Sequence, residues 1–125
     1  MTVIVTGAQE SAAALLRSVA QLERNAGTAV AVTAGKVKRS AQQRVSGHPY
    51  LPAYPYSISF SITRGAMGVE AEIGPDKGRR QGPLGNLIEY GSVNNAPIPH
   101  LGPALDENAD DLLRGVEIAV LQAFR

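Results

Sequence analysis

Two histidines, four clustered carboxylates, a strand with alternating serines and a glycine-rich loop are the stretches of this 125-residue chain that could do chemistry. His48 and His100 each adjoin a proline, and neither has a second histidine or an acid at a spacing that closes a metal site on one element. No metal and no cofactor is expected. Asp106, Glu107, Asp110 and Asp111 could be pictured as paired carboxylates, but a place early in a helix, against its positive end, accounts for them. Ser57, Ser59 and Ser61 lack a G-x-S-x-G elbow and read as the wet face of a strand. Residues 74–85, GPDKGRRQGPLG, have no Gly-Lys-Ser/Thr ending and do not lead from a strand into a helix, so they are no phosphate cradle. The expectation is a protein that is not an enzyme.

Bulk composition narrows the classes further. The length suits one domain, and a net charge of +1 gives no global pull toward nucleic acid or membrane. There is no cysteine, hence no disulfide, thiolate metal site or thiol nucleophile. No run approaches the roughly 20 apolar residues of a membrane span, and the N-terminus lacks the pattern of a signal peptide. The expected place is the cytoplasm where the chain is made. Aromatic residues make up 5% with no tryptophan, so Ala, Val, Leu and Ile must build the core. A core so light is expected to lean on assembly with neighbours.

Periodicity then places the elements. Residues 2–5 are a short β-prone lead-in, and Thr6 followed by Gln9 fits a capping box, starting a helical region over 7–46. Ala12, Leu15, Leu16, Val19, Leu22 and Ala26 recur at helical spacing and predict one buried stripe. Val30, Ala34, Val37, Ala41 and Val45 continue it past Gly27, as one long bent helix or as two. Lys36, Lys38, Arg39 and Arg44 decorate that second half. Residues 48–55, HPYLPAYP, predict a rigid connector. Strict alternation over 57–63 puts Ile58, Phe60 and Ile62 inward. Residues 65–68 turn the chain, and Val69, Ala71 and Ile73 return it as an antiparallel hairpin. Residues 74–85 are expected to form a mobile exposed loop carrying Lys77, Arg79 and Arg80, residues 87–90 a third strand, and 103–124 a helix with Pro103 in its first turn. The expected stripe of that helix is Leu105, Ala109, Leu112, Leu113, Val116, Val120 and Ala123. The fold class is α+β: a long N-terminal helical region, a small antiparallel sheet built on a hairpin within 57–91, and a C-terminal helix packed on the sheet, in a single domain over 1–125.

Residues 82–105, GPLGNLIEYGSVNNAPIPHLGPAL, organise the rest. They are dense in Gly, Pro and Asn yet carry regular apolar anchors, which marks a pinned irregular segment. In Ile88, Glu89, Tyr90, Gly91 and Ser92, followed by Pro97, Pro99 and the run Pro103, Ala104, Leu105, this stretch resembles the putative tail-component family of long-tailed bacteriophages, the small head-tail joining or tail-completion proteins. Upstream, a long helical region and a hairpin follow that family in outline, while residues 51–58 keep only its Ser57-Ile58 ending.

The resemblance implies a virion structural protein at the head-tail junction, in a homo-oligomeric ring of six subunits or else twelve. It would meet neighbouring connector and tail-tube proteins, touch channel DNA only non-specifically and avoid membranes. The expected interface is Glu89, Tyr90, Gly91, Ile98 and Leu101, with Glu89 paired to an arginine of its own or the adjacent chain. Replacing Glu89 and Tyr90 by alanine is expected to leave a folded domain that fails to assemble. Lys77, Arg79 and Arg80 form a flexible basic loop that reaches a neighbour, cut by trypsin in the free protein. The other classes to weigh are a small nucleic-acid-binding module using the basic helix and loop, and a small hydrolase at the acidic helix start.

Overall fold

In the computed structural model, residues 6–65 and 68–124 are described. The expected lead-in strand at 2–5, the side chains of the capping box and Arg125 lie outside them. Helix α1 runs unbroken over Thr6–Val45, strands β1 (Ile58–Gly65) and β2 (Gly68–Pro75) form an antiparallel hairpin, and two helices follow, α2 (Gly85–Tyr90) and α3 (Leu101–Ala123). The class is α+β, as the periodicities predict.

Helix α1 is the spine, about 60 Å long at 1.5 Å per residue. Gly27 does not break it, because the packing of the half that follows it outweighs the roughly 1 kcal/mol propensity cost of a single glycine. The hairpin lies along α1 and α3 runs antiparallel to it. Asn25 donates to Gln122 at 3.4 Å, Lys36 meets Asp111 at 3.2 Å, and Glu107 takes Ser40 at 2.6 Å and Arg44 at 3.2 Å, which fixes the helix register. At its start α3 also meets the sheet, where Leu101 shares a small cavity with Phe60 and Ile73.

The core is Val37, Ala41 and Val45 of α1 with Tyr54, Ile58, Ile88 and Ala104, closed by Leu51, Ile73, Ile98 and Leu101. The second half of α1 therefore buries the predicted stripe. Its first half does not: Leu15, Leu16 and Val19 are exposed. The hairpin pairs Ile58 with Pro75 through Gly65 with Gly68. Ile58 faces in as predicted, whereas Phe60 stays 37% exposed beside Ile73 and Leu101.

Three further expectations are corrected. Residues 87–90 are not a third strand but most of α2, since an apolar run this short carries no period that separates strand from helix. Among the described residues the sheet has two strands. Helix α3 begins at Leu101, so Asp106, Glu107, Asp110 and Asp111 lie beyond its first turn, and Glu107 and Asp111, four apart, reach across to α1. The face α3 turns to α1 is Ala104, Asn108, Gly115, Ala119 and Ala123, all small apart from Asn108, whose amide bonds the Ala104 carbonyl at 2.8 Å. A Cβ on Gly115 would stand 3.0 Å from that of Ala29. So close an approach favours small residues: of the predicted stripe Ala123 is buried and Leu112 and Val116 are half-buried, while Leu105, Ala109, Leu113 and Val120 face solvent.

Candidate functional site

The Glu89 carboxylate is the centre of the organising stretch. Six-residue α2 ends at Gly91, whose φ of 78° is left-handed and whose missing side chain leaves room for Asn95 and Pro97. A tight turn, Ser92 to Asn95, sends the chain back so that the Ile98 amide donates to the Ile88 carbonyl at 2.7 Å. That return places the start of α3 over Glu89. Its carboxylate accepts the backbone amides of His100 at 2.7 Å, Leu101 at 3.0 Å and Gly102 at 3.0 Å. The next residue, Pro103, has no amide, and Ala104 already bonds the His100 carbonyl. Every donor of the helix start is thus satisfied by one distant side chain, in place of a Ser, Thr, Asp or Asn at the cap itself.

His100 extends the network inward. Its Nδ1 lies 2.8 Å from Glu89 Oε2 and 2.9 Å from the Ile98 carbonyl, two acceptors, so Nδ1 carries the proton. Nε2 then accepts the Tyr54 hydroxyl at 2.6 Å. Burial would raise the Glu89 carboxyl, but the amides of Gly102, His100 and Leu101 together with the His100 imidazole hold it below its usual range. Burial, helped by the Glu89 charge, pushes the Tyr54 hydroxyl up to about 12. Tyrosine, histidine and glutamate in line copy the wiring of a nucleophile, base and orienter. Tyr54 and His100 are both sealed from solvent, so no substrate reaches that oxygen and the chain of bonds serves the fold.

Glu89 therefore spends its charge on a helix N-terminus and His100 in its own chain, not on an arginine, and only 10% of its side chain is exposed. Tyr90, one residue on, is 78% exposed. Ile98 and Leu101 are half-buried against the core. His100 was missed as a partner because Glu89 is eleven residues away. The available signal was a helix start with no capping side chain of its own.

The basic loop is exposed as expected and makes hydrogen bonds that its composition does not announce. Asp76 donates its amide to the Ser57 carbonyl at 2.8 Å, and its side chain accepts from Gly78 at 2.8 Å. Arg79 reaches the Tyr56 carbonyl at 3.1 Å and Asp76 at 3.5 Å. Gln81, held at a left-handed φ of 64°, accepts the amides of Ala53 and Tyr54 and donates to the Tyr50 carbonyl. Gly82 presses so close to the Asp76 carbonyl that a side chain would not fit. The segment is tied to the connector at 50–57 along its length. Lys77, Arg79 and Arg80 are exposed on its surface.

Three apolar features remain on the outside. A groove of about 530 Å³ lies between the connector and the organising stretch, lined by Tyr50, Leu51, Leu84, Leu87, Ile88 and Ile98 among others. The N-terminal arm of α1 carries Leu15 and Leu16, the latter 70% exposed, beyond the last cross-link to α3. The outer face of α3 shows Leu113 at 63% and Leu121 at 67% exposure, with Val120 and Phe124 beside them. Of the basic residues, Lys36, Arg44 and Arg79 are each paired with an acid. No group of three His, Asp or Glu side chains among the described residues is placed to hold a metal ion. No described helix is long and apolar enough to cross a membrane.

No family model matches the chain, and neither does any curated protein or solved structure.

Proposed function

We propose that this chain is a structural subunit that assembles with copies of itself into a ring, and that the ring stands at the head-tail junction of a long-tailed bacteriophage. The observation that carries the assembly is surface area. The chain exposes 8831 Å², about 2,400 Å² more than a compact monomer of its mass. Exposed leucines of both long helices, Leu15 and Leu16 on α1 and Leu113 and Leu121 on α3, lie on that surface. The place at the junction is supported by the likeness of Ile88–Ser92 and Pro103–Leu105 to the tail-component family. Six subunits fit that reading best and twelve next, with connector and tail-tube proteins above and below and DNA passing without specific contact.

Light scattering on concentrated protein, followed by negative-stain images alone and with purified tail tubes, tests the proposal. A ring that seats on tube ends is the expected result. A monomer at all concentrations that also ignores tubes overturns it.

A further inference from the structure

We propose that residues 1–5 of one subunit seat in the apolar groove between the connector and the organising stretch of the next copy of the chain. The contact rests on the ring proposed above and gives each subunit one donor and one acceptor, the heterologous arrangement that closes by rotation.

The acceptor is concave and apolar. Its volume of about 530 Å³, between walls that include Leu51, Leu84, Leu87, Ile88 and Ile98, is in the range that small ligands fill. Leu87 stays exposed on that wall. Along the rim the chain runs through residues 96–99 without helix or strand, and the amides on either side are used: that of Asn95 donates to Ser92, and that of Ile98 to Ile88. Pro97 and Pro99 have no amide. Ala96, which also lines the groove, has one that donates to no described group. An extended apolar segment laid beside Ala96 covers the leucines and offers that amide a carbonyl, as an added strand does. A helix, with its own carbonyls already bonded, offers none along its length.

Residues 1–5, which lie outside the described residues, have the composition for this seat. Met1, Val3, Ile4 and Val5 are apolar, Thr2 to Val5 are all β-branched, and no side chain among them is charged. Reach decides whose segment it is. The segment joins α1 at Thr6, and that 40-residue helix puts the junction about 60 Å from Val45. The groove adjoins His48 and Tyr50, just past Val45. Five extended residues span about 17 Å at most. A subunit's own residues 1–5 therefore cannot enter its own groove, and those that enter it belong to another copy.

Full-length variants test this by light scattering, with circular dichroism and melting to follow the fold of each subunit. Val3→Asp with Ile4→Asp disables the segment, and Leu87→Asp, at an exposed position, disables the groove. Each variant alone should be monomeric, with self-association weakened at least ~30-fold. Mixed in equal amounts, they should give a one-to-one dimer and nothing larger, because one intact segment meets one intact groove. Failure of the mixture to dimerise overturns the proposal, as does self-association that either variant keeps. A wild-type ring whose mass both variants keep would sink this contact while leaving the ring. A monomeric wild type would sink both.

The chain has no cysteine, which allows a second measurement if either variant misfolds. Ile4→Cys with Leu87→Cys in one chain should give a ladder of disulfide-linked oligomers under oxidation, and neither substitution alone should give one. An internal disulfide that leaves the chain monomeric would mean that the segment reaches its own groove, and would overturn the proposal. So would the absence of any disulfide.

Discussion

Glu89 satisfies three amides that no other side chain reaches, so its loss is felt in folding before it is felt in assembly. Glu89→Ala leaves those donors and His100 without their acceptor, and about 3 kcal/mol of stability should go in denaturant melts. Tyr90→Ala, at an exposed position, should change stability by no more than about 0.5 kcal/mol. An assembly defect in the double variant would therefore report on misfolding, and Tyr90→Ala alone is the substitution that probes an interface. The network also sets the response to pH. Because the folded Glu89 carboxyl titrates below its unfolded value of about 4.3, its contribution is complete above that pH. It is lost as pH falls through the folded value. Glu89→Gln should flatten this acid limb. Tyr54 behaves in the opposite sense: with its folded value at about 12 and its unfolded one near 10, its stabilising effect is whole below pH 10 and disappears as pH climbs past the folded value. Absorbance titration should show one tyrosine ionising near pH 12, a phase that Tyr54→Phe deletes.

At the scale of elements, two glycines and a glutamine separate packing from propensity. A methyl on Gly27 would first meet the Arg64 guanidinium, 2.6 Å away at the end of a flexible exposed side chain. The arginine can swing aside, and Gly27→Ala should stabilise α1 by about 0.5–1 kcal/mol. Gly82→Ala, by contrast, drives a methyl into backbone at Asp76 and should cost more than about 2 kcal/mol. Gln81 ties residues 76–82 to the connector by three hydrogen bonds, so trypsin should cut slowly at Lys77, Arg79 and Arg80 in free protein. Gln81→Ala should open those sites. Rapid cutting of the wild type there would show that the ties do not hold the segment.

For the whole molecule, the excess surface has a thermodynamic consequence. If copies cover it, the melting temperature must rise with protein concentration, since association draws on the folded state alone. A rise of several degrees over a hundredfold in concentration is expected, and an unchanged melting temperature would argue that the bare faces stay bare. Burial of leucines is little weakened by salt, so the assembly should survive about 0.5 M salt, whereas any binding to DNA through the unpaired lysines and arginines should fall steeply.

The sequence by itself determined that α1 and α3 are helices, because apolar residues at steps of three and four have no other way to share a face. It determined the hairpin as well, since alternation with period two puts Ile58 and Ile62 on one side of a first strand and Val69, Ala71 and Ile73 on one side of a second, with glycines between the two. It also singled out Glu89 as a carboxylate that makes a charged contact, but named an arginine where its own chain offers the amides of the α3 start and His100. Tertiary structure alone decided three things. It made residues 87–90 helical, because a short apolar run has no period that tells strand from helix. It joined Glu89, His100 and Tyr54, which come from separate parts of the chain and carry no common spacing. And it chose which stripe of α3 is buried. Hydrophobicity pointed to the leucines, but α1 presents Ala34, Ala41 and the close Ala29, and two backbones that approach so nearly exclude any side chain much larger than alanine. The shape of the partner overrode the size of the apolar gain, and the leucines were left facing outward.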